Sequence, residues 1–398
     1  MTVSRVGVLG AGTMGTGIAQ VAALGGYEVV VYDADPKARE AGRERIHAAL
    51  AKGAARGRWS EADAVAAAEH LAEATMLEDL AGCGLVIEAV PEILGLKREL
   101  LATVAEFCAP TAVLASNTSS LRVSDIAAPV PGRERVVGMH FFNPPALMKL
   151  VEVVATGVSS EAALRTATAA AETMGRTPIR AKDSPGFVAN RLARPFSLES
   201  LRILGDGVAD AATIDRVVRL GGGFPMGPFE LIDLIGLDVN LTIARSFFAQ
   251  GGEPERWRPS PIQERLVEEG RLGRKSGQGY HPYGEASERE ADPDLAIAAP
   301  TLDPERLARI DPAAPEILPR LFAQIANEAA FALEEEIASP ADMETAMRLG
   351  FNWPLGPLGI TELIGPARAV TLLEQLEREK GEAYSPAPLL RRNISSSG

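Results

Sequence analysis

The side chains best placed for chemistry are His140 and Glu152. His140 is one of 4 histidines in 398 residues, and it closes the apolar run Val136 to His140. A short run of this kind reads as a buried strand, and strand carboxyl ends in open α/β sheets face the ligand crevice. Glu152 interrupts a second such run, Leu150 to Val154, where an ionised carboxylate needs a partner. Lys149 is the neighbour in sequence, whereas His140 is the partner with a chemical consequence. A carboxylate holding one imidazole nitrogen fixes the tautomer and stabilises the imidazolium, as a general base requires. A third polar group, Ser116-Asn117-Thr118-Ser119-Ser120, follows the apolar run Ala112 to Ala115. No G-x-S-x-G elbow surrounds these serines, so they suit orienting a substrate oxygen, and Ser120 or Ser124 also reads as a helix cap.

The elements that position these groups begin at the N-terminus. Val3 to Leu9 reads as a strand, Met14 to Leu24 as a helix and Glu28 to Tyr32 as a second strand, a unit whose default is a right-handed parallel crossover. Between the first strand and the helix, Gly10, Gly12 and Gly15 form G-x-G-x-x-G. The first glycine permits the tight turn, the second lets backbone approach a pyrophosphate, and the third lets helix and strand pack closely. The helix N-terminus then faces the phosphate charge. Asp33 follows the second strand, 23 residues after Gly10, where a carboxylate bonds the ribose hydroxyls and repels a 2′-phosphate. The pattern predicts NAD as cofactor; Lys37 and Arg39 nearby keep NADP in view. With Leu85 to Val90 as a further strand and helical patterns between strands, the first part reads as an α/β, doubly wound, Rossmann-type sheet.

Composition changes after Asp183, where Ser184-Pro185-Gly186-Phe187 breaks the pattern and helical sequence takes over. The expected domains are 1–184, a Rossmann domain; 185–284, a helical domain; 285–315, a proline-rich linker; and 316–398, a second helical copy. The duplication is visible directly: residues 212–236 align without a gap on 341–365, with 10 of 25 positions identical, including the turns Gly227-Pro228 and Gly356-Pro357.

A net charge of -13 argues against binding nucleic acid or an anionic membrane. Cys83 and Cys108 have neither metal-ligand spacing nor a disulfide framework, and no metal is expected. The chain has no apolar run long enough to span a bilayer, and no charged and apolar leader precedes the first strand, which reads as a cytoplasmic enzyme. One basic patch stands against the acidic balance: seven Lys or Arg fall between Lys37 and Arg58, with Arg45, Lys52 and Arg56 at helical spacing on one face.

Residues 1–284 resemble L-3-hydroxyacyl-CoA dehydrogenase over their full length. The matching segments are GAGTMGTGIAQVAA, the stretch Glu88 to Lys97, SNTSSL, GMHFFNPP with MKLVEV, DSPGFVANRL, GGGFPMGPFELIDLIGLD and GRKSGQGY. The resemblance implies that His140 removes the 3-hydroxyl proton as hydride leaves for the nicotinamide, with Glu152 orienting it. It implies that Ser119 and Asn190 hydrogen-bond the reacting oxygen. Glu92, Lys97, Asn117, Ser119, Asn143 and Lys275 match positions that contact the cofactor, and Arg56 matches a basic position that contacts coenzyme A. A neighbouring family serine is replaced by Ala49. The second helical copy has Pro319 at the position of Asn190 and no GRKSGxGY, so it builds no second active site. It is expected to act as an internal pseudo-dimer partner, the whole chain being a monomer or homodimer.

The function implied is NAD-dependent oxidation of an (S)-3-hydroxyacyl-CoA, such as 3-hydroxybutyryl-CoA, in the degradation of fatty acids or related acyl-CoAs. The alternatives are a dehydrogenase of a free hydroxy acid such as L-gulonate, and a nucleotide-binding protein that has lost its chemistry. His140, Glu152, Ser119 and Asn190 together speak against the last.

Overall fold

The computed structural model describes residues 3–284 and 299–395, and the chain divides into two compact units, Met1–Phe187 and Val188–Gly398. Among the described residues of the first unit, eight strands form one sheet. They are β1 (Arg5–Leu9), β2 (Glu28–Tyr32), β3 (Leu71–Ala74), β4 (Leu85–Glu88), β5 (Val113–Ser116), β6 (Val136–Phe141), β7 (Leu150–Ala155) and β8 (Thr177–Lys182). The helices are α1 (Thr13–Leu24), α2 (Pro36–Ala55), α3 (Glu61–Glu69), α4 (Leu94–Phe107), α5 (Val123–Ala127) and α6 (Glu161–Thr173).

The strand order is β3-β2-β1-β4-β5-β6-β7-β8. Strands β1 to β6 run parallel, β7 runs antiparallel to β6, and β8 lies parallel to β7. The order reverses between β1 and β4, which places a ligand crevice at their carboxyl ends. Central strands such as β4 and β5 are buried at every position, so they read as continuous apolar runs. Strands β3 and β8 escape sequence reading because they are the sheet's edges: β3 exposes Glu73, and β8 alternates buried Ile179 and Ala181 with exposed Thr177 and Lys182.

The turn from Ser184 belongs to the first unit, since Phe187 N donates back to the Ser184 carbonyl at 3.0 Å. The second unit is helical. It comprises α7 (Ala189–Leu192), α8 (Arg194–Gly205), α9 (Ala211–Gly222), α10 (Pro228–Ile235), α11 (Leu237–Gln250) and α12 (Pro261–Glu268). After the break in description follow α13 (Pro304–Ile310), α14 (Ala314–Glu334), α15 (Pro340–Gly350), α16 (Pro357–Ile364), α17 (Pro366–Lys380) and α18 (Pro388–Ser395). Of the stretch read as a linker, residues 285–298 lie outside the described residues, and the remainder requires a correction. Residues 304–310 are helical and docked: Asp303 caps α13, Leu307 is buried, and Arg216 donates to the Ile310 carbonyl. The prolines misled because Pro304 and Pro315 sit in the first turns of α13 and α14, where a missing N–H is harmless.

The duplication persists in hydrogen bonds. Asp215 on α9 accepts from Phe229 N and Glu230 N at the start of α10, and Glu344 on α15 accepts from Leu358 N and Gly359 N at the start of α16. The same register pairs Arg191 with Arg320 and Glu199 with Glu328. These four make reciprocal ion pairs across the copies: Arg191 Nε to Glu328 Oε1 at 2.8 Å, and Arg320 Nη2 to Glu199 Oε1 at 2.8 Å. Trp257 Nε1 donates to Glu328, and Tyr384 OH donates to Glu199. Residue i meeting j while j meets i is the mark of a twofold interface, here folded within one chain.

No described helix is long and apolar enough to cross a membrane, and no described cluster of His, Cys, Asp and Glu could hold a metal.

Candidate active site

His140 and Glu152 are directly opposite each other on β6 and β7. Opposed residues of an antiparallel pair point to the same side of the sheet, so the register itself brings the two side chains together. His140 Nδ1 lies 2.6 Å from Glu152 Oε2, with Glu152 fully buried. Lys149, the other possible partner, turns instead to the Gly175 carbonyl. The Nε2 of His140 makes no hydrogen bond to a described residue, so with Nδ1–H given to the carboxylate its lone pair is available. The rings of Phe142 and Phe187 stand 4.6 Å and 5.8 Å from the imidazole and shield it from water.

The glycine turn is shaped to receive a dinucleotide. Gly10 has φ +102°, and a Cβ at Gly15 would lie 1.8 Å from the Gly10 carbonyl oxygen, so neither tolerates a side chain. A Cβ at Gly12 would meet nothing within 4 Å, which is the open space a pyrophosphate needs. The first turn of α1 has no side-chain cap, leaving its N–H groups to an anion. Asp33 Oδ2 accepts from Ala11 N at 2.8 Å, tying the end of β2 to the turn. Gly17 faces Pro145 so closely that a Cβ would come within 2.8 Å, which sets the Asn143 loop beside α1. Asn143 is exposed, and Asn117 Oδ1 holds Phe141 N at the end of β6.

Behind the serine cluster lies a buried network. Lys97 is 1% exposed, with Nζ 2.7 Å from Glu88 Oε1 and 3.1 Å from Glu92 Oε2. Glu88 also takes the Ser116 hydroxyl and Val90 N. Glu92 Oε1 accepts from Thr118 Oγ1, Ser119 N, Ser120 N and Ser120 Oγ, which shapes the loop and presents the exposed Ser119 hydroxyl. Burial works to raise the Glu92 carboxyl, but the Lys97 ammonium and the Thr118 and Ser120 hydroxyls outweigh it and hold it below its ordinary value. Removing the one cation leaves Glu88 buried and unpaired, so Lys97→Met should destabilise the protein by about 3–5 kcal/mol. Denaturant unfolding measures this, and a loss under about 1 kcal/mol would deny the network that role.

Two anchoring residues were missed in the sequence. Glu88 ends the run Leu85-Val86-Ile87, and a carboxylate closing a buried strand was the available signal. Asp183 accepts from Val123 N and Ser124 N and so supplies the N-terminal cap of α5. The expectation that Ser120 or Ser124 caps this helix is therefore corrected: its N-cap residue is Arg122, without a side-chain cap bond.

Arg45, Lys52 and Arg56 are all exposed along α2 and its C-terminal residue. In the helical unit, Asn190 lies half-buried on α7, and Lys275 Nζ pairs with Asp238 at 2.6 Å.

Comparison with known proteins shows the family of the chain. The NAD-binding domain model of 3-hydroxyacyl-CoA dehydrogenase matches residues 5–184, and its C-terminal domain model matches 186–283 and again 317–397. The chain is 36% identical to a 3-hydroxyadipyl-CoA dehydrogenase of Escherichia coli, over 98% of each. It is 41% identical to a probable 3-hydroxybutyryl-CoA dehydrogenase of Bacillus subtilis, over 72% of this chain and 99% of that one. A crystal structure of 3-hydroxybutyryl-CoA dehydrogenase from E. coli K12 matches with a TM-score of 0.90 at 36% identity, covering 100% of this chain and 99% of its own. The chain belongs to the 3-hydroxyacyl-CoA dehydrogenase family, as an NAD-dependent oxidoreductase acting on a CH–OH group.

Proposed function

We propose that the protein oxidises (S)-3-hydroxyacyl-CoA to 3-ketoacyl-CoA with the His140–Glu152 dyad as its base. The cross-strand contact of 2.6 Å between Nδ1 and Oε2, with Nε2 left open, carries this reading. Bound NAD supplies the hydride acceptor for the hydrogen on C3. His140 Nε2 takes the proton of the 3-hydroxyl, and Glu152 remains ionised to stabilise the imidazolium. Ser119 and Asn190 donate to the reacting oxygen, as their match to the family implies. Gly10, Gly12, Gly15, Asp33, Glu92, Lys97, Asn117, Ser119, Asn143 and Lys275 serve the cofactor; of these, Glu92 and Lys97 act largely by holding the loop of Ser119. Arg56, with Arg45 and Lys52, offers charge to the phosphates of coenzyme A. The reciprocal Arg–Glu pairs support the second helical copy as an internal stand-in for a dimer partner.

Named substrates among the relatives are 3-hydroxybutyryl-CoA and 3-hydroxyadipyl-CoA, which share the thioester and the 3-hydroxyl and differ at the far end of the acyl chain. NADH formation from (S)-3-hydroxybutyryl-CoA, set against free 3-hydroxybutyrate and L-gulonate, tests the reading. Turnover of the thioester with background rates on the free acids is expected. Activity confined to a free acid would replace the reading with a hydroxy-acid dehydrogenase.

A further inference from the structure

One buried cation has no place in the machinery described so far. Arg194 opens α8, is 6% exposed, and has Nε and Nη1 closed to solvent without a hydrogen-bond partner. Its guanidinium lies over the Phe247 ring, 5.2 Å from the centroid, and no carboxylate among the described residues pairs with it. Burial without a compensating anion pulls the group down to about 10. A guanidinium has five donors in a rigid fork, and keeping it dry and unmatched is strongly unfavourable unless an anion arrives to fill it.

The internal repeat shows that the brace between helical copies does not need this arginine. Arg191 is as deeply buried, yet Glu328 and Glu335 saturate it, and its counterpart Arg320 is held by Glu199 and Asp206. In the same register Ala323 stands opposite Arg194, and Pro319 stands opposite Asn190. Both polar groups thus occur only in the copy that carries a substrate residue. They are four residues apart on helical backbone that runs through Ala193, so they share a face with Cβ atoms about 5–6 Å apart.

We infer that Arg194 recognises the terminal carboxylate of a dicarboxylic 3-hydroxyacyl-CoA. The inference rests on the reading above in which Asn190 holds the 3-oxygen. In a six-carbon diacyl thioester three bonds separate C3 from the terminal carboxyl carbon, a reach of about 3.8 Å, as for three bonds across a trans peptide. A carboxylate at that distance falls within range of a side chain one helical turn from Asn190, and the guanidinium fork takes both its oxygens.

The test compares the full-length protein with its Arg194→Leu variant on (S)-3-hydroxyadipyl-CoA and (S)-3-hydroxyhexanoyl-CoA, equal in length and different only at the end. The wild type should favour the diacid in kcat/KM, and that preference should fall by about 100-fold in the variant, mainly through KM. Arg194→Lys keeps the charge without the fork and should retain part of the preference, which covers the case of an insoluble leucine variant. A wild type that favours the hexanoyl thioester, or a preference unchanged by either substitution, overturns the inference alone. Absence of NADH from both thioesters overturns the 3-hydroxyacyl-CoA reading and this inference with it. Faster, Arg194-dependent turnover of free 3-hydroxybutyrate would assign the guanidinium to the carboxylate of a free acid and likewise overturn it.

Discussion

Replacing His140 with alanine should lower kcat by about a hundred- to ten-thousand-fold, while NADH affinity, read by fluorescence titration, stays close to wild type. The separation follows from position. His140 lies at the end of β6, whereas the glycine turn and Asp33 lie at the ends of β1 and β2, tied to each other through Ala11. Glu152→Gln should reproduce much of the loss with both sites intact, on the order of a thousand-fold in kcat. The amide nearly preserves shape in a fully buried position but removes the charge behind the imidazole, and its NH₂ can hold the ring in the wrong tautomer. Normal turnover in either variant would remove the dyad from the mechanism. A joint fall in turnover and NADH affinity for His140→Ala would mean that the imidazole shapes the cofactor site instead.

Ending the chain after residue 284 should abolish the well-behaved monomer. The truncation takes Glu328 from Arg191 and Trp257, and Arg320 from Glu199, groups that are almost wholly buried in the intact unit. The cut face opens to water, which solvates Arg191 and Glu199. Opening it also uncovers apolar side chains that pack on the second copy, Phe196 against Trp353 and Phe224 against Phe322, at a cost of about 25 cal/mol for each Å² exposed. The exposed face can rescue itself in one way. Because Glu199 and Glu328 are counterparts, as are Arg191 and Arg320, two truncated chains can pair Arg191 of one with Glu199 of the other in both directions. Sedimentation should therefore show a dimer, or aggregation, and activity only in the dimer. A stable and fully active truncated monomer would show that the second copy does not brace the first.

Much of this protein is legible without coordinates because its signals are local. The glycine turn, the strand before it and Asp33 lie within one strand–helix–strand unit, so spacing alone places them at a dinucleotide. The central strands are buried on both faces and read as unbroken apolar runs, and the gap-free match of 212–236 to 341–365 exposes the repeat. Even the choice of His140 and Glu152 follows from a rare histidine and an acid lodged in apolar strands. What spacing cannot convey is register and return. The hydrogen-bond ladder of an antiparallel pair, not the sequence distance, sets His140 opposite Glu152 and sends Lys149 elsewhere. Helix docking turns Pro304 and Pro315 from linker signals into first-turn residues, and it makes Arg191 and Arg320 reach across the repeat to Glu328 and Glu199. Arg194 is the clearest case. In the sequence it is one basic residue on a helix, and only packing, which gives its neighbour Arg191 two carboxylates and leaves Arg194 none, marks it as a site awaiting an anion.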